Sequence, residues 1–200
     1  MTTLTTKSGK NNKLALKKEL LKLDLGCGQN KQVGFTGVDI KKIKGVDVVH
    51  DLFKFPWPFK DESISEIFCS HFFEHVPARL RALMMDEIYR ILVSPHEDGS
   101  GNNVHGRCTF ITPYYSSMRA IQDYTHEWPP ICEGSFLYFN KSWREQNKLD
   151  HYDIHCDFDF SYGYVINQPF IQKHEEARAF AVTHYINSIS DIQVVLTKRG

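Results

Sequence analysis

The chain has 200 residues, and its 24 acidic and 24 basic side chains leave no formal net charge at neutral pH. That balance excludes a globally basic nucleic-acid binder or a protein drawn to anionic membrane, and the length suits one domain with its own core. Five cysteines without CxxC spacing (Cys27, Cys69, Cys108, Cys132, Cys156), no apolar run near the ~20 residues of a membrane span, and a start without a signal-peptide core point to a cytoplasmic, reducing setting.

Residues 1–12 read as a flexible polar arm, and Lys7, Lys10, Lys13, Lys17, Lys18 and Lys22 form a basic cluster there and just beyond it. A short amphipathic stretch from Leu14 to Leu20 leads into LLKLDL, ending at Leu25, which is short, apolar and closed by glycine, as a buried strand is. FTGVDI (Phe35 to Ile40), VDVVHDL (Val46 to Leu52) and SEIFCSH (Ser65 to His71) repeat that pattern. A helix is expected from Ala78 to Leu92, with Leu80, Leu83, Met84, Ile88, Ile91 and Leu92 as its inward stripe. RCTFITP (Arg107 to Pro113) is the fifth strand, and residues 114–156 form an irregular insert rich in aromatics, His and Pro. The chain closes with strand DFDFSYGYVIN, helix KHEEARAFAVTHYINS, facing inward through Ala177, Phe180, Ala181 and His184, and strand DIQVVLTKR. Alternation of strands with crossovers predicts a doubly wound, mostly parallel seven-stranded α/β sheet, with ligands bound beyond the carboxyl ends of its strands.

Three strand ends carry suitable chemistry. The first ends in Asp24-Leu25-Gly26-Cys27-Gly28, the second in Asp39, the third in His50-Asp51-Leu52. Glycine after a strand lets a ligand approach the backbone, since no Cβ intervenes. An acid on the next strand can accept both hydroxyls of a ribose, and an acid beyond the third can receive the exocyclic amine of adenine. Together they describe an adenosine pocket. Each acid also suits a plainer role, capping nearby amides or starting a turn.

This ordered set, with the aromatic-proline stretch FKFPWPF and with DESISEIFCSHFFEHV, resembles the class I S-adenosylmethionine-dependent methyltransferases, most closely their type 11 subgroup, over roughly Leu21 to Pro113. The resemblance implies a single Rossmann-like methyltransferase domain with S-adenosyl-L-methionine as cofactor. It implies that Asp24, Gly26, Cys27 and Gly28 line its methionine and ribose portion and that Asp39, with Ile40, holds the ribose hydroxyls. Asp51 and Leu52 then frame the adenine, and Ser70 and His71 lie beneath the cofactor. His71 and His75 become the candidate catalytic residues, and Glu74 either braces the loop or joins them. The acceptor is expected to be a small molecule or sugar; the competing reading is a cofactor-binding regulatory module without turnover.

A dinucleotide enzyme fits less well. Its third small residue would fall at Lys31, too large for close helix packing, and no phosphate loop ending in GK[ST] exists. The brief connection after Gly28, near the lower limit for a parallel crossover, predicts a loop in place of the first helix. In the insert, His126, Trp128, Tyr138, Trp143, His151 and His155 either wall an acceptor pocket or form an aromatic subcore. His151 and His155, with neighbouring acids, lack His-Glu-x-x-His spacing, so no metal is expected. ITPYY departs from the motif of amino-directed DNA methyltransferases by its Thr112 and single proline, so nucleic acid is not the expected partner.

Overall fold

A computed structural model of the protein describes residues 20–98 and 100–200. The expected arm, the lysines from Lys7 to Lys18 and nearly all of the 14–20 stretch lie outside them. Strands β1 (Leu21–Leu25), β2 (Thr36–Asp39), β3 (Val48–Val49), β4 (Ile64–Ser70), β5 (Arg107–Pro113), β6 (Phe158–Ile166) and β7 (Ile189–Lys198) form one sheet in the order β3-β2-β1-β4-β5-β7-β6. The pairs among the first five are parallel, and β7 runs antiparallel to both β5 and β6. The mostly parallel seven-stranded sheet expected from the sequence is therefore present.

Period-two alternation gives the sheet two unequal faces. Ile67 and Cys69 on β4, Cys108 and Phe110 on β5, and Val194 and Leu196 on β7 are fully buried. Their alternates Phe68, Thr109, Ile111 and Val195 are only partly covered, and Gln193 is exposed. The buried face meets helix α1 (Ala78–Ile91) through Met84, Met85, Ile88 and Ile91, all without solvent exposure. The inward stripe is rotated from the one expected. Leu83 is 47% exposed, while Arg81, Met85 and Glu87 are buried, because Arg81 and Glu87 find polar partners within the fold.

The β1–β2 connection is turns and irregular chain without a helix, as its length dictates. Two acids stitch it: Asp24 Oδ2 accepts from the Gln32 amide at 2.7 Å, and Asp39 Oδ2 accepts from the Gly28 amide at 3.0 Å. Lys31, excluded above as a close-packing residue, instead reaches Asp47 at 2.6 Å across the β2–β3 loop. Gly37 admits this arrangement, since a Cβ there would meet Gly45 O at 2.6 Å and Cys27 Sγ at 2.7 Å.

The segment after β5 carries three short helices, α2 (Arg119–Gln122), α3 (Gly134–Leu137) and α4 (Lys141–Gln146). One buried arginine staples it to the domain, and a second braces it from within. Arg81 Nε donates to Val76 O at 3.0 Å, Nη1 to Pro129 O at 2.7 Å and Nη2 to Glu127 O at 3.1 Å. Arg144 donates to the carbonyls of Tyr138, Ile154 and Cys156. Helix α5 (Glu175–His184) buries only Ala181; Phe180, expected to face inward, is 54% exposed and packs on His184 and Tyr185. Among the described residues no helix is long and apolar enough to cross a membrane.

Candidate functional site

The chain leaves β1 toward β2 and leaves β4 toward β5, so the crevice beyond Leu25 and Ser70 is the switch point of the sheet. Two cavities open there. One, of about 160 Å³, is lined by Gly26, Asp39, Ile40, His50, Asp51, Leu52, Phe53 and Phe72. It unites five of the residues expected to contact a cofactor. Asp39 reaches it with lone pairs to spare: Oδ2 takes the Gly28 amide and Oδ1 the Lys41 amide, and each carboxylate oxygen accepts twice. Asp51 begins a turn by accepting from the Phe53 amide at 3.1 Å. Trp57, almost fully buried, fixes the Leu52 carbonyl through its indole N–H at 3.1 Å.

The sequence reading missed Phe53 and Phe72, whose rings stack at 5.9 Å over this cavity. Phe72 lies directly on Gly26; a Cβ at Gly26 would come within 2.5 Å of the Phe72 ring. Only a residue without a side chain fits at that place. Asp24, Cys27, Gly28 and Ser70 do not line the cavity. Asp24 is buried beneath the loop, where desolvation raises its pKa against the Gln32 hydrogen bond. Burial likewise pushes the Cys27 thiol up to about 11.

The second cavity, about 230 Å³, is lined by His71, Glu74, His75, Pro113, Arg119, Gln122, Asp123 and His126. His71 follows β4 with φ of 52°, a left-handed conformation rare for a side chain with a Cβ, held by its amide donating to Ile111 O at 2.8 Å. Its Nδ1 sits 3.3 Å from Glu74 Oε1, and that hydrogen bond raises the His71 pKa above the usual histidine value, against partial desolvation. Consecutive residues thus face opposite ways: Phe72 closes the first cavity, while His71, Glu74 and His75 open on the second. His126, 51 positions beyond His75 in the chain, arrives because Arg81 and the Glu127 amide, which donates to Glu74 O at 2.9 Å, hold its loop here.

The remaining insert candidates scatter. Tyr138 lines a separate apolar groove against α1, Trp143 packs on Tyr138, and Trp128 is 77% exposed. His151 stacks on Tyr152, while His155 pairs with Asp86 at 3.1 Å. That pairing raises the His155 pKa, and the two histidines form no shared ligand cluster among the described residues.

No protein-family model matches the sequence, and no curated protein matches it. Solved structures do match. One is a SAM-dependent methyltransferase from Archaeoglobus fulgidus, 15% identical, with 91% of this chain and 87% of that one covered at a TM-score of 0.58. This is the class I methyltransferase fold. The YcgJ protein from Bacillus subtilis shares it at 14% identity, 91% and 93% coverage and a TM-score of 0.50. So does the [4+2]-cyclase SpnF, at 13% identity, 90% and 75% coverage and a TM-score of 0.50. Since a cyclase uses it too, the methyltransferase fold leaves the reaction to be argued from the site.

Proposed function

We propose that this protein is an S-adenosylmethionine-dependent methyltransferase acting on a small-molecule or sugar acceptor. What carries the reading is the pair of cavities on either side of Phe72 at the switch point, one apolar and acid-edged, the other polar and histidine-lined. The first fits an adenosine: Asp39 has acceptor capacity left for a ribose diol, Asp51 stands where an exocyclic amine would lie, and Leu52, Ile40 and Phe53 supply apolar walls. Gly26 keeps the floor open; Cys27, Gly28 and Asp24 shape the loop from behind, and Ser70 ends the strand below.

When bound, the cofactor supplies a methyl group already activated by sulfonium charge, so the protein's main task is alignment. The insert, residues 114–156, serves as the acceptor-side cap, bringing Arg119, Gln122 and His126 over the second cavity. His71 is the residue placed to take a proton from the acceptor, with Glu74 holding its ring and stabilising the imidazolium that forms. His75 lines the same cavity beside Glu74. All five cysteines are free thiols, which suits a cytoplasmic site of action.

Calorimetry with S-adenosylmethionine and S-adenosylhomocysteine tests the cofactor assignment; heat of binding from both is expected, and none from either defeats it. A methyl-donor turnover screen over pooled metabolites, sugars, DNA and protein then identifies the acceptor class. Turnover on a small molecule or sugar is expected, and turnover confined to a polymer refutes the acceptor assignment.

A further inference from the structure

We infer that Glu74, His75 and His126 form a binding site for one divalent transition-metal ion at the acceptor side of the fold. Ligating atoms of the three side chains lie within 4.8 Å of one another. Two histidines and one carboxylate are a ligand set used by catalytic zinc and, in facial geometry, by non-haem iron, both with positions left open for water or substrate. Bonds of ~2.1 Å at tetrahedral angles put ligand atoms about 3.4 Å apart, so modest side-chain rotation closes the set on an ion.

Three independent features favour the ion-binding form. Glu74 is 5% exposed, its Oε1 meets His71, and its Oε2 is buried without any hydrogen-bond partner. A desolvated carboxylate oxygen left unpaired is costly, and a cation in the cavity relieves that cost. The tautomers follow from the partners. His126 Nδ1 faces the Ala120 carbonyl at 3.1 Å, which can only accept, so Nδ1 donates there and Nε2 is left bare of hydrogen bonds, 3.9 Å from Asp123 Oδ2. His75 Nδ1 lies 3.0 Å from Thr125 Oγ1 and 3.3 Å from Thr125 O. The Thr125 hydroxyl already donates to Asp123 Oδ1 at 2.7 Å, so it accepts from His75, whose Nε2 is also bare. A ring nitrogen tied to a carbonyl or hydroxyl, with the opposite nitrogen free, is the outer-shell arrangement of metal-binding histidines. Finally, the Arg81 clamp on Glu127 O and Pro129 O fixes the loop that brings His126 to the site.

Open coordination positions would face His71, Arg119 and Gln122 across the 230 Å³ cavity. They suit an oxygen ligand such as an acceptor hydroxyl, whose acidity the ion would increase. This role rests on the methyl-transfer reading; ion binding itself does not.

The test uses the full chain stripped with a chelator and titrated with Co²⁺, read by its visible d–d bands and by metal analysis. One equivalent is expected, displaced by Zn²⁺, and weakened at least tenfold by Glu74→Gln and by His126→Ala, with circular dichroism checking that each variant is folded. His155→Ala, at the other histidine–carboxylate cluster, is expected to bind as the parent does. Absence of the bands in the parent, or bands that survive in a folded His126→Ala variant, overturns the proposal. Calorimetry with S-adenosylhomocysteine on the same samples keeps a failed metal site distinguishable from a failed cofactor assignment.

Discussion

The two cavities at the switch point are built by different means. The acid-edged one takes most of its lining from the ends of β1, β2 and β3 and the turns just after them, within 28 residues from Gly26 to Phe53. The histidine cavity draws on the turn after β4, the end of β5 and a loop of the insert, and only tertiary clamps bring these together. A pocket made by strand ends is stable wherever the sheet is stable. A pocket made by a stapled insert can be lost while the sheet survives. Substitutions should therefore separate the two.

The largest effect is expected from Asp39→Ala. Losing a charged acceptor of two ribose hydroxyls, at roughly 1.5–3 kcal/mol per charge-assisted bond, should weaken S-adenosylhomocysteine binding by ~100-fold or more. Co²⁺ binding at the histidine cavity should stay unchanged, and equal loss at both sites would show that the cavities are one unit. Arg81→Met should do the reverse. It removes the donor for three carbonyls and should lower unfolding free energy by about 2–3 kcal/mol. Metal affinity should fall with it, while cofactor affinity measured well below the melting transition holds. Denaturant unfolding and paired titrations read both.

How much of this was legible in the chain follows the same division. Asp39, Asp51 and Gly26 could be read because each terminates a short apolar run, and parallel strands place their ends on one edge. Phe72 was not legible as a lining residue. Nothing local tells that the left-handed turn at His71 throws the Phe72 ring back over Gly26. His126 was legible only as one of several histidines in the insert, because its partner lies across a loop held by Arg81.

Phe72→Ala sharpens the first cavity. At about 160 Å³ it is smaller than the ~300 Å³ at the low end of ligand pockets, and the Phe72 ring covers its Gly26 side. Removing it should tighten S-adenosylhomocysteine binding by ~3–10-fold at a cost to stability; weaker binding would make the ring a fixed wall instead. The smallest effect concerns thiols. Cys69 and Cys108 are fully buried with pKa values pushed well up by desolvation, so neither should label with a thiol reagent in the folded protein. Cys132, half-buried in the insert, should label first, and faster still in Arg81→Met.

The sequence alone determined the chain order of the seven sheet strands and the two longer helices and the acids at the strand ends, because hydrophobic period and glycine placement are local properties that the backbone must obey. It also determined the missing first helix, because a connection so short has no room for one. The tertiary structure decided which face of α1 turns inward, since Arg81 and Glu87 find buried partners that no periodicity reveals. It decided, too, that Glu74, His75 and His126 meet. Their meeting depends on a buried arginine that gathers backbone carbonyls from two distant segments, and such long-range satisfaction of polar groups leaves no pattern along the chain.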